Sequence, residues 1–120
     1  MPSTRIPRHG EIGRVRLDPV GGPEQGGERP ALILSPDVIN EHSPVVLIAS
    51  ITTKKTERVY PFEVLILPPE GGLKQQSKVL LMQLRSIDKR RLTGFHGSLS
   101  LASMTLVEGA VKVATGLTKF

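Results

Sequence analysis

Short apolar runs, each broken within a few residues by glycine, proline or polar clusters, constrain this chain more than any other feature. Such punctuation belongs to a domain of short strands. From Glu11 to Leu17 the pattern alternates, with Gly13, Val15 and Leu17 on one face and Arg14 and Arg16 on the other. Asp18 to Glu28 then carries four glycines and two prolines and is expected to be a loop. Ala31 to Leu34 and Val45 to Ile51 are near-continuous apolar runs, as in central strands. Between them Ser35-Pro36 supplies a cap and a first-turn proline for one or two helical turns through Asn40. Tyr60 to Leu67, Lys78 to Leu84 and Gly94 to Leu99 are the remaining expected strands, with a helical turn from Ser86 or Asp88 through Arg91. Only the last stretch reads as a full helix: Met104, Val107, Val111 and Ala114 recur at spacings of three and four, with Ser100 as cap and Gly116 as stop. The expectation is a single, mainly β domain over residues 1–120, a strongly curved barrel or half-open sheet. Residues 1–8 are expected to form a flexible amino-terminal tail.

A chain of 120 residues can bury about two-thirds of its unfolded surface without staples. It contains no cysteine, which removes disulfides and thiolate metal sites and fits a reducing compartment. The amino terminus has no apolar core, and no apolar run approaches the roughly 20 residues of a membrane span. A cytoplasmic protein with no membrane partner is expected. Sixteen Lys and Arg face eleven Asp and Glu, a net charge of +5. The excess is uneven: Arg5, Arg8, Arg14 and Arg16 meet only Glu11, and Lys74, Lys78, Arg85, Lys89, Arg90 and Arg91 meet only Asp88. Clusters of this kind favour a polyanionic partner. Three Phe, one Tyr and no Trp count against a module that grips bases mainly by stacking.

A catalytic magnesium needs clustered carboxylates, and a zinc site needs His or Cys at ligand spacing. His9, His42 and His96 lie far apart and no acids pair suggestively, so neither a metal nor another cofactor is expected. The histidines are read as surface or structural groups. No Ser sits in a Gly-x-Ser-x-Gly elbow, and Gly26-Gly27-Glu28-Arg29 lacks the ending of a phosphate-binding P-loop.

Three segments remain. Glu24-Gln25-Gly26-Gly27-Glu28-Arg29-Pro30 runs into the strand that ends Leu34-Ser35-Pro36-Asp37; Ile48-Ala49-Ser50-Ile51-Thr52-Thr53-Lys54 ends a buried strand in hydroxyls and charge; and Leu81 to Leu92 reads Leu-Met-Gln-Leu-Arg-Ser-Ile-Asp-Lys-Arg-Arg-Leu. Together with Gly10-Glu11-Ile12 and Pro61-Phe62-Glu63-Val64, and in this order, they resemble the MazF (PemK/Kid) family of toxin endoribonucleases over roughly residues 9–117. Any one motif is weak; the ordered set is specific.

The resemblance implies an SH3-like barrel of the CcdB/PemK type, usually a homodimer, that cuts single-stranded RNA such as mRNA at short motifs as the toxin of a toxin–antitoxin pair. By position it implies a catalytic role for Arg29 and Thr52. Arg29 can lay a guanidinium fork on the scissile phosphate, and Thr52 can hydrogen-bond a phosphate oxygen or the attacking hydroxyl. Arg29 could instead pair with Glu24 or Glu28, and a Thr that ends a strand is ordinary. Thr53 is the adjacent alternative, pointing to the opposite face. Glu24 and Gln25 are expected to shape the loop over the RNA, Thr53 and Lys54 to lie at the RNA surface, and Gln83 to read a base edge, unless as a strand-end residue it merely satisfies backbone groups. Arg85 is expected to brace the fold by pairing with Glu63 or Asp88. Gly13, Pro23 and Met82 depart from the family pattern, and the last two bear on which RNA sequence is cut. The partner expected besides RNA is a small antitoxin with an acidic, disordered segment. A gyrase-poisoning toxin of the CcdB type would share the barrel, but that family acts through a Trp-containing carboxy terminus and this chain has no Trp. A catalytically silent, basic RNA-binding barrel is the other alternative.

Overall fold

A computed structural model of the chain describes residues 5–17 and 27–119. Six strands form one antiparallel sheet: β1 (Glu11–Leu17), β2 (Gly27–Ile33), β3 (Val45–Thr52), β4 (Glu63–Ile66), β5 (Ser77–Asp88) and β6 (Leu92–Ser98). Their spatial order is β4-β5-β3-β2-β1-β6, so the near-continuous apolar runs of β2 and β3 sit in the middle, as expected of central strands. A short helix α1 (Asp37–His42) joins β2 to β3, and the helix α2 (Leu101–Ala114) follows β6. The sheet curls into an open barrel. Across its mouth the turn Glu70–Gly72 meets β6 backbone to backbone: a Cβ on Gly72 would lie 2.1 Å from the carbonyl oxygen of His96. Gly72 also has φ +75°, so only glycine suits both the conformation and the close approach.

Strand parity divides the apolar residues between two clusters. Ile12, Leu32, Ala49, Ile51, Val79 and Leu81 face α2 and pack with its Val107 and Ala110. Val15, Ala31, Ile33, Val46, Ile48, Ile87 and Leu92 form the second cluster, on the opposite side of the same strands. In α2 the Ser100 hydroxyl accepts the amide of Ser103, as expected of a cap. Gly116 ends the helix at φ +78° while the Leu117 amide returns to the carbonyl of Lys112 at 2.8 Å.

Three local expectations need correction. Ser35 does not cap α1; its hydroxyl donates to Asn40 Oδ1 at 2.5 Å and accepts the amide of Leu47 at 3.0 Å, a buried bracket between α1 and β3. The strand expected from Tyr60 begins only at Glu63, because the Glu63 amide closes a turn onto the carbonyl of Tyr60 at 2.8 Å. The strand expected to stop at Leu84 continues to Asp88, where Asp88 Oδ1 accepts the Arg90 amide at 2.8 Å and opens the turn Lys89–Arg91. The Arg90 side chain and amide hold the Asp88 carboxyl down to about 2. In the amino-terminal segment, Pro7 is buried, the Arg8 amide donates to Glu11 at 3.0 Å and Arg5 pairs with the Glu11 carboxylate. Among the described residues no helix is long and apolar enough to cross a membrane.

Candidate active site

The site arises where β2 parts from β3. The two strands pair through Ala31↔Ser50, Leu32↔Ala49 and Ile33↔Ile48, and no further. One step beyond stands Pro30, which has no amide proton to give a ladder. From there β2 stays on β1, with Arg14↔Pro30 and Val15↔Arg29 in register, while β3 stays on β5, with Thr52↔Lys78. Arg29 and Thr52 are each two residues past the last pair, so both side chains fall on the face that carries Ala31 and Ser50. A cleft of about 360 Å³ opens between them.

Val15, Ile48 and Leu80 form its apolar wall, and Arg29, Arg85, Ser50, Thr52 and Gln83 are its main polar lining. Among the described residues no carboxylate lines it. Glu28 turns instead to Arg14, with Oε1 3.7 Å from its Nε, and among the described residues no acid pairs with Arg29. Two guanidinium groups facing such a cleft create a local positive field suited to phosphate. The Thr52 hydroxyl accepts the Lys54 amide at 3.1 Å, which orients its oxygen and leaves its proton to donate.

Gln83 reaches the cleft through an irregularity in β5. The partner of Ala49 is Leu84, but that of the next residue, Ser50, is Leu80. Leu81, Met82 and Gln83 are therefore extra to the β3 ladder, a wide bulge of the kind that re-aims side chains beside active sites. Leu81 turns into the core, Met82 is 63 % exposed, and Gln83 lines the cleft. Gln83 is thus not a strand-end residue.

Of the residues expected at the site, Arg29, Thr52 and Gln83 come together here. Thr53 and Lys54 lie past the end of β3, exposed, and do not line the cleft. Glu24 and Gln25 lie outside the described residues. Arg85 corrects the sequence reading: Glu63 is taken by Lys78 at 2.8 Å and Asp88 by Arg90 at 2.9 Å, so neither braces Arg85, which joins Arg29 in the cleft instead. Ser50 is a further lining residue that the sequence reading does not single out, although it shares the parity of Thr52. None of the three histidines lines the cleft; His9 donates its amide to Asp37 and its ring contacts the Leu34 carbonyl at 2.9 Å. Among the described residues no three His, Asp or Glu gather as a metal-ion site.

Comparison with known proteins meets this geometry. Residues 8–115 match the model of the PemK-like, MazF-like toxins of type II toxin–antitoxin systems. The chain is 37 % identical to the endoribonuclease MazF of Staphylococcus epidermidis over 113 residues, 94 % of each chain. It is 36 % identical to the endoribonuclease EndoA of Bacillus subtilis (strain 168), covering 96 % of this chain and 99 % of that one. Among solved structures, MazE-MazF from Deinococcus radiodurans superposes with a TM-score of 0.79 at 30 % identity, over 95 % of this chain and 99 % of that one. The ordered motifs, the open barrel and the match over nearly the whole chain agree: this protein belongs to the PemK/MazF family of toxins.

Proposed function

We propose that this chain is a single-domain toxin endoribonuclease that cuts single-stranded RNA, including mRNA, at short sequence motifs in the cytoplasm. The observation that carries this reading is the meeting of Arg29 and Thr52 at one cationic cleft, with no acid among the described residues lining it. Its relatives from Staphylococcus epidermidis and Bacillus subtilis are endoribonucleases. In the proposed reaction the 2′-hydroxyl of the RNA attacks the adjacent phosphorus and the 5′-oxygen leaves, giving a cyclic phosphate and a 5′-hydroxyl. Arg29 stabilises the charge that builds on the phosphoryl oxygens, and Thr52 donates to one of them or orients the nucleophile. Arg85 holds the strand electrostatically and Gln83 reads a base edge. No metal ion or other cofactor is used. Incubation of the purified chain with single-stranded RNA should give discrete fragments, and Arg29→Ala should remove them; a gyrase poison or a silent RNA-binding barrel would cut nothing in either form.

The working unit is proposed to be a homodimer. The edge strand β4 and the exposed Leu65, Leu67 and Leu106 need a cover that one copy does not provide. Sedimentation at micromolar concentration should give about twice the chain mass of 13.0 kDa. A clean monomer at that concentration would rule the dimer out.

The protein partner is proposed to be a small antitoxin that docks an acidic, initially disordered segment on the same positive surface as RNA. The family is that of toxins of type II toxin–antitoxin systems, and the Deinococcus radiodurans relative was solved as MazE-MazF. Antitoxin binding should weaken as salt rises and should compete with RNA. A complex that still cuts RNA at the free rate would refute the shared surface.

A further inference from the structure

A second hollow, of about 410 Å³, lies next to the cleft and is lined by Lys55, Glu57, Arg58, Tyr60 and Lys78. The two spaces adjoin at the cross-strand pair Thr52↔Lys78, whose side chains stand on the same face of the sheet. Apart from Lys78 of β5, the walls of the hollow come from the loop of residues 53–62, and that loop is tied down along its length. Lys78, only 5 % exposed, directs its ammonium to the Arg58 carbonyl at 2.9 Å and to Glu63 Oε1 at 2.8 Å. The same Glu63 oxygen accepts the Tyr60 amide at 3.1 Å, and the Tyr60 hydroxyl receives the Arg58 guanidinium at 3.4 Å. Lys55 adopts φ +55°, the only positive φ of a non-glycine residue among those described. Backbone strain of this kind persists where the surroundings over-determine it, and it gathers at functional sites.

A buried Lys–Glu pair is a poor device for stability, because desolvation offsets most of its attraction. Here it fixes a loop that presents two exposed cations beside Thr52. We propose that Lys55 and Arg58 form a phosphate subsite for the RNA strand as it leaves the cleft past Thr52, with Lys78 and Glu63 as its positioning pair. The proposal rests on the reading of the Arg29–Thr52 cleft as the place of cleavage. It names an RNA backbone, not an acidic peptide, because the subsite continues the face on which the scissile phosphate sits.

The test uses the full chain and a single-stranded RNA carrying a 2′-deoxy substitution at the scissile nucleotide, so that binding is read without cutting. Removing one cation from a phosphate should lower the slope of log affinity against log salt by about 0.7, hence by about 1.4 for Lys55→Gln/Arg58→Gln. With cleavable RNA the same variant should raise KM about tenfold and change kcat less than twofold, as for an interaction equal in ground and transition states. Lys78→Met/Glu63→Leu leaves the net charge unchanged and should melt no lower than the parent, yet it should raise KM severalfold. An unchanged salt slope in the Lys55/Arg58 variant would overturn the subsite, and so would a loss confined to binding of an acidic antitoxin peptide. An unchanged KM in the neutral-pair variant would overturn the positioning role. Failure of the parent chain to cut cleavable RNA would instead overturn the reading of the cleft, a separate outcome because binding is measured on its own.

Discussion

Arg29→Ala is expected to slow RNA cleavage on the order of 100-fold or more, the usual cost of removing a preorganised group that stabilises transition-state charge. The size follows from the setting. Arg29 projects from β2 at the point where that strand parts from β3, into a cleft that no carboxylate among the described residues lines. Its positive charge is therefore available to the phosphate instead of being spent on a neighbouring acid. The same setting predicts little effect on folding, since Arg29 is exposed and no acid among the described residues depends on it. Surface changes of that kind stay within about 0.5 kcal/mol. Single-turnover cleavage and a thermal melt of the same preparation check both parts. A slowing of less than threefold would remove Arg29 from the catalytic role, and a large fall in melting temperature would make the rate loss a folding effect. Lys in place of Arg29 should restore little, because a point charge cannot make the two parallel bonds of a guanidinium.

A single 2′-deoxy substitution at the scissile nucleotide should abolish cutting there, while excess EDTA should leave the rate of the unmodified strand unchanged. The sequence has no cysteine, and its three histidines are widely separated. A nuclease without a metal-activated water needs another nucleophile, and ribose supplies one already beside the phosphorus. The protein's share is then to hold the strand in line and to stabilise charge, for which the cleft offers Arg29, Arg85 and the Thr52 hydroxyl. Undiminished cleavage of the substituted strand, or loss of activity in EDTA that magnesium restores, would show the mechanism to be wrong.

Much of this is legible in the residues because strands write their faces at a period of two. The alternation from Glu11 to Leu17 and the apolar run from Val45 to Ile51 each form a strand within a residue of the expected bounds. Parity likewise separates Thr52 from Thr53: once Ser50 faces the cleft, Thr52 must, and Thr53 lies beyond the strand. Arg85 misleads because opposite charges elsewhere in the sequence offer it plausible partners. Glu63 is already committed to Lys78, a residue fifteen positions away that only the β4–β5 pairing brings close. The bulge at Leu81 to Gln83 is not legible in the sequence, since where three residues drop out of the ladder is set by the pairing of β5 with β3 and not by local polarity. Ser35 looks like a cap for the same reason that it is useful in a bracket, a hydroxyl on a short stem beside a turn.

That bulge has a consequence for how such a toxin can change its target. Leu84 and Leu80 carry the pairing of β5 with β3 on either side of it, and Leu81 fills the core, so Met82 and Gln83 answer to neither ladder nor core. Gln83 lines the cleft and Met82 beside it is exposed, both with almost no duty to the fold. On the proposed reading of Gln83 as the group that meets a base edge, substitution at these two positions is expected to alter which RNA is cut while the barrel and the Arg29–Thr52 pair stay as they are. On that reading selectivity and stability rest on separate residues of one strand, so this chain can change what it cuts without first passing through variants that fail to fold.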